Sequence, residues 1–138
     1  MTASLSAHDA LVAVMIATSA ADEQLRAEEL LSITRLVEQL PAFESYDATR
    51  VKNVSELVFE MLEVEDGLHA IVGLVHAALP EGLNETAYAL ACDVAAADLD
   101  IPMQERRWLR ILRHDLMVDE LVAAAIERAA KARHRRLS

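Results

Sequence analysis

The sequence is poor in the residues that break helices or cross-link small domains. Of its 138 residues, 3 are glycine, 3 are proline, 1 is cysteine and 4% are aromatic. So few glycines leave no phosphate-cradling loop and no nucleophile elbow, which argues against a nucleotide site or a hydrolase. The single cysteine, Cys92, cannot form an internal disulfide, and its apolar neighbours predict a buried, inert thiol.

Long hydrophobic runs are also missing. No segment approaches the ~20 apolar residues of a membrane-spanning helix. Residues 11–17, followed by small residues, resemble the core of a signal peptide, but the residues before them include Asp9 and no lysine or arginine. A similar apolar segment recurs inside the chain at 87–97. We therefore interpret the first segment as a folded helix and expect a cytoplasmic protein that does not insert into membranes.

Positive charge is scarce except near the end of the chain. The net charge of −10 disfavours nucleic acid and anionic membranes as partners. Residues 1–105 carry 4 basic and 19 acidic residues, whereas residues 106–138 carry 9 basic and 4 acidic ones. The basic last third is either an internal complement to the acidic body or a docking surface, with the tail at 133–138 as one candidate element.

Alanine, leucine and glutamate are abundant, and the apolar residues recur at helical spacing. This pattern predicts one all-α domain over residues 1–138. Seven helices are expected, at about 8–21, 27–40, 47–62, 68–79, 84–97, 102–114 and 119–133. The first is apolar on nearly every side and should be central. In the connector at 41–50, Phe43 and Tyr46 should fold back onto the core.

Finer details follow from the same pattern. Leu30 in the second helix and Leu121 in the last should point inward. Asp66 should cap the fourth helix, and Glu65 should pair with His69, four residues later.

One stretch of the chain occurs twice, and the two copies align without a gap. Residues 20–29 read AADEQLRAEE and residues 96–105 read AADLDIPMQE. Each copy has an aliphatic residue three positions after the aspartate and a glutamate seven positions after it. The repetition predicts two pseudo-symmetric helix–loop–helix units, at about 8–40 and 84–114.

The repeated acids are candidate metal ligands: Asp22, Glu29, Asp98 and Glu105. Carboxylate and backbone carbonyl oxygens are the ligands that hard divalent cations prefer. If the two loops converge, these four carboxylates and Asp100 could share one ion; otherwise two weaker sites result. The alternative is that the acids only stabilise turns and helix N-termini, with no ion bound.

The two loops resemble those of the TerB-like family, which is associated with bacterial tellurite resistance. The family pattern is approximately Ala-Asp-Gly, an aliphatic residue, a capping residue and Glu. It is matched by Ala21, Asp22, Leu25 and Glu29, and again by Ala97, Asp98, Ile101 and Glu105. Glu23 and Leu99 replace the glycine, and Arg26 and Pro102 replace the small capping residue.

This resemblance extends over residues 8–130 and implies more than the spacing does. It implies a helical bundle that holds a divalent cation (Ca, Mg, Mn or Zn) on an acidic surface. It also implies a role in tellurite or stress response through a partner protein, without catalysis.

A second hypothesis needs no metal. The protein would be an interaction module that docks a partner through its acidic body or through its Arg-rich last third. Trp108, beside Arg106, Arg107 and Arg110, is then either a partner-binding anchor or part of the core against the last helix.

Overall fold

Seven α-helices and one 3₁₀ turn make up the computed structural model, which describes residues 5–21, 27–96, 101 and 103–137. The helices are α1 (Ala7–Ala20), α2 (Ala27–Gln39), α3 (Arg50–Leu62), α4 (Gly67–Ala78), α5 (Leu83–Ala96), α6 (Met103–Asp115) and α7 (Glu120–Arg133), and the 3₁₀ turn is Pro41–Phe43. No β-strand occurs in these residues, and the predicted all-α class is confirmed.

Helix α1 is the centre of the bundle. It begins at a Ser6 cap, whose hydroxyl oxygen accepts a hydrogen bond of 3.0 Å from the Asp9 backbone N–H. Every residue from 9 to 20 is buried. The helix packs against α2, α3, α4, α5 and α6, which is how a helix with no polar face can be accommodated. The predicted central position is confirmed.

The surrounding helices bury one face each. Helix α4 packs on α1, α3 and α6, and α7 packs on α5. Their inward residues include Val54 and Val58 of α3, Ile71, Val72 and Val75 of α4, and Ala123 and Ala130 of α7. Helix α7 therefore lies at the edge of the bundle and leaves most of its own surface exposed.

The connector between α2 and α3 folds onto the core as predicted. Phe43 is buried, and Tyr46 packs between the rings of Phe43 and His8, with ring centroids 5.8 and 5.3 Å away. The predicted start of α3 at residue 47 is too early, because the helix begins at Arg50. Asp47 instead accepts hydrogen bonds from the Thr49 backbone N–H (3.0 Å) and hydroxyl (2.7 Å), which favours a turn over a helix.

Two local predictions at the start of α4 are wrong in detail. Asp66 occupies the cap position, but it has a left-handed backbone (φ 59°) and its side chain makes no capping hydrogen bond. His69 does not pair with Glu65: its Nδ1 lies 3.0 Å from Oδ2 of Asp115 and so connects α4 to α6. A partner on another helix was available, so the local pairing did not form.

A buried carboxylate connects α1 to α3. Asp9 is only 2% exposed and accepts hydrogen bonds from Arg50, through both Nε (3.0 Å) and Nη2, and from the Tyr46 hydroxyl (3.2 Å). The bidentate Arg50 contact is the main reason that the pKa of Asp9 lies below its ordinary value of 3.8. The pair joins the first residue of α3 to the first turn of α1.

We expect Asp9→Asn to lower the free energy of unfolding at pH 7 by about 1–2 kcal/mol, since Arg50 is half exposed and water screens part of the interaction. The folded-state pKa is depressed, so the stabilisation is present above pH 3.8 and is lost as the pH falls through the folded pKa. Urea unfolding at pH 7 and at pH 3 measures the loss of stability and its dependence on pH. The difference from the wild type should shrink at pH 3, and a difference that is equal at both pH values would contradict the ion pair. Glu60→Gln, at an exposed position on α3, is the control.

Candidate functional site

The four predicted metal ligands fall into two groups. Asp22 and Asp98 lie outside the described residues. Glu29 and Glu105 are the third residues of α2 and α6, and both are buried, with 1% and 0% of their surface exposed. Carboxylates are rarely buried without compensation, because the loss of hydration disfavours the charge. These two side chains are therefore part of the interior and not of a solvated acidic face.

Helix boundaries repeat at the same offset as the sequence. Both ends of α5 follow the corresponding ends of α1 by the same number of residues that separates the two acidic stretches. The same spacing separates both ends of α6 from those of α2. The contacts are also reciprocal: α1 packs against α5, α1 meets α6, and α2 meets α5. The two units thus have equal helix lengths and equal loop lengths. Their equivalence under a twofold rotation remains a prediction.

The last turn of α1 carries two buried hydroxyl groups, those of Thr18 and Ser19. The Ser19 hydroxyl, in the last turn of α1, is buried and makes no hydrogen bond within the described part of the chain. Among the same residues no group of three or more His, Cys, Asp or Glu side chains is placed to hold an ion. Asp22 and Asp98, two of the four predicted ligands, are not among those residues.

A second candidate site lies between α5, α6, α7 and the C-terminal tail. It is a cavity of about 830 Å³. Its apolar lining comes mostly from small residues, with Cys92, Ala95, Ala96, Ile101, Leu109 and Ala130 as members. Its cationic lining is made of Arg106, Arg110, Arg113, Lys131, Arg135 and Arg136. We call it the basic groove.

One carboxylate enters the basic groove. Glu127 accepts a 2.6 Å hydrogen bond from the Tyr88 hydroxyl, and its Oε2 lies 3.9 Å from Nη1 of Arg113. Burial raises the pKa of the nearby Cys92 thiol to about 12, so it is protonated at neutral pH. The groove therefore has no thiolate nucleophile, in agreement with the predicted inert cysteine.

Most of the cations in the groove form no ion pair with a described acid. Arg133, just outside the lining, bonds Asp93 at 2.6 Å, and His134 approaches the same carboxylate at 3.4 Å. By contrast, the structure pairs no described acid with the following lining residues: Arg106, Arg110, Lys131, Arg135 and Arg136. Five cations without such a pair thus line this cavity, in a protein whose net charge is −10.

Trp108 does not belong to this surface. Its side chain is fully buried, and its Nε1–H donates a 2.9 Å hydrogen bond to the Thr18 hydroxyl on α1. The partner-anchor interpretation is therefore wrong, because a buried ring cannot contact a partner. Core packing is confirmed, although the bonded neighbour is α1 and not the last helix.

The arginines of α6 are recognisable in the sequence, but the groove that they line is not. Arg106, Arg110 and Arg113 follow one another at steps of four and three, which places them on one helix face. That spacing was visible in the sequence. The small-residue floor contributed by α5 and α7 was not, because it depends on which helices become neighbours.

No helix within the described residues is long and apolar enough to cross a bilayer. No protein-family model, curated protein or solved structure gives a significant match to this chain. The resemblance to TerB-like proteins therefore stays a prediction that depends on the two loops.

Proposed function

We propose that the protein is a non-catalytic, TerB-like binding protein that holds a divalent cation (Ca, Mg, Mn or Zn) at its paired acidic loops and acts through a protein partner. One observation carries the proposal: Glu29 and Glu105 occupy the same position in two helices of equal length, and both are buried. The association with tellurite or stress response comes from the sequence resemblance alone.

Burial makes an ordinary capping role less favourable. A glutamate that only complements a helix N-terminus can do so from the surface, where it keeps its hydration. The two buried carboxylates are oxygen ligands of the kind that hard divalent cations prefer, and a cation there would add to the compensation for their lost hydration. The buried Ser19 hydroxyl adds a neutral oxygen on the helix that leads into the first loop. Asp22 and Asp98 would complete the oxygen set.

A thermal melt with and without each cation tests the proposal. An ion at 100 times its dissociation constant adds about 2.7 kcal/mol, which corresponds to a rise in Tm of about 9 °C for a chain of this size. The double variant Asp22→Asn/Asp98→Asn should lose most of this rise. Glu56→Gln/Glu60→Gln, which removes two exposed carboxylates from α3, should keep it. Absence of a shift with all four ions, or an equal shift in the loop variant, would rule out the metal site.

The metal-free interaction module is the second candidate, and the basic groove favours it. Its cations lie in the Arg-rich last third, the surface that this hypothesis selects for docking. The same melting experiment separates the candidates, because a module that works without metal needs no cation for stability.

A further inference from the structure

We propose that the basic groove is a binding site for a free, single-chain fatty carboxylate. The groove is formed by α5, α6, α7 and the tail. Binding of a fatty carboxylate there does not require a cation at the acidic loops. The ligand class follows from the two parts of the lining, which differ sharply in polarity.

The floor suits an alkyl chain. Ala95 and Ala130 are buried, and Ala96 and Leu109 are partly exposed beside them, so the floor is apolar and consists mostly of small side chains. The cavity of about 830 Å³ falls within the size range of small-molecule sites. An alkyl chain that displaces water from this floor gains the hydrophobic contribution of each buried methylene.

The rim suits one anionic head group. Arg106 and Arg110 stand one turn apart on α6, and Arg135 and Arg136 stand on the tail. Arginine presents a planar set of donors that matches a carboxylate. None of these four guanidinium groups is paired with a described acid, so a bound carboxylate would give them a partner.

Other anionic occupants fit less well. A nucleic acid would be repelled by the acidic body of the protein, whose net charge is −10. An acidic protein segment would use the rim but would not need an apolar cavity beneath it. A free amphipathic anion uses both.

Calorimetric titration with decanoate, at concentrations where it is monomeric, tests the site. Butyrate has the same head and a short chain, and decylamine has the same chain and the opposite charge. We expect decanoate to bind at least about tenfold more tightly than either. Raising the salt concentration should weaken decanoate binding, because the rim is exposed. Equal binding of decanoate and decylamine would overturn the proposal.

Matched variants locate the binding. Arg106→Gln/Arg110→Gln should weaken decanoate binding at least about tenfold, whereas Arg128→Gln, an exposed arginine of α7 outside the lining, should not. Ala96→Leu should obstruct the floor, and Ala129→Leu, an exposed position outside it, serves as its control. Each of these substitutions is at a position that is not fully buried, and circular dichroism confirms that each variant is folded. Unchanged affinity in both groove variants would contradict the site.

Two further measurements identify the occupant. If vesicles containing anionic lipid bind while monomeric decanoate does not, the groove is a membrane-contact surface and the proposal fails. If a glutamate-rich helical peptide binds while decanoate does not, the groove docks a protein and the proposal again fails. The Asp22→Asn/Asp98→Asn variant should bind decanoate with wild-type affinity, so failure of the cation proposal and failure of this one give different results.

Discussion

Replacing Gly67 by alanine is expected to lower the free energy of unfolding by about 3 kcal/mol. A β-carbon at this position would clash with the carbonyl oxygen of Met61 and would lie 3.1 Å from Cα of Leu62. These are backbone atoms at the end of α3, so relief requires the α3–α4 turn to move, and no side-chain rotation suffices. For a chain of this size the loss corresponds to a fall in Tm of about 10 °C, measured by thermal or urea unfolding.

Gly73 provides the control within the same helix. A β-carbon there has no neighbouring atom within 4 Å, and the residue is exposed in the interior of α4. Alanine at this position should therefore stabilise the protein by about 0.5–1 kcal/mol through its higher helix propensity. If the substitutions at Gly67 and Gly73 changed stability by the same amount and in the same direction, the close approach of α3 to α4 could not be the reason.

Trp108→Ala should be still more damaging, with a loss of about 4 kcal/mol. The side chain is fully buried, and its Nε1–H donates to the Thr18 hydroxyl, which itself donates to the Val14 carbonyl at 2.7 Å. Truncation leaves a large cavity and removes the donor to a buried oxygen. Both consequences fall on α1, the helix that most of the bundle packs against. Urea unfolding followed by circular dichroism measures the effect, because the variant has no tryptophan to follow.

Two comparisons separate the causes of this loss. Trp108→Phe keeps most of the apolar volume but not the donor, so it isolates the hydrogen-bond contribution of about 1–3 kcal/mol. Met103→Ala removes a large side chain that is 82% exposed on the same helix, and it should change stability by less than about 0.5 kcal/mol. A Trp108→Ala effect as small as that of Met103→Ala would contradict the buried position.

Helix number and order could be predicted because periodicity and end signals are local. The hydroxyl of Ser6 and the carboxylate of Asp119 mark the starts of α1 and α7, and both cap as such residues do. The edges of the buried faces could not be predicted. Leu30 and Leu121 are 41% and 82% exposed although their spacing placed them inward, because whether a neighbour covers a flank depends on the packing of other helices.

The residues of both candidate sites could be predicted from the sequence, but their burial and surroundings could not. Sequence repetition identified Glu29 and Glu105 and their equivalence, but it did not indicate that both carboxylates would be buried. The spacing of Arg106, Arg110 and Arg113 was readable as one basic face. The cavity beneath that face required α7 to lie along α5, and no local pattern encodes that contact.

The central position of α1 has a consequence for how the protein is made. This helix precedes in the chain every helix that buries it: α1 ends at Ala20, whereas α5, one of its main neighbours, is complete only at Ala96. At ribosomal elongation rates of about 5–20 residues per second, α5 is completed on the order of several seconds after α1, and the apolar surface of α1 lacks this neighbour until then. Folding should therefore finish only after most of the chain has emerged from the ribosome.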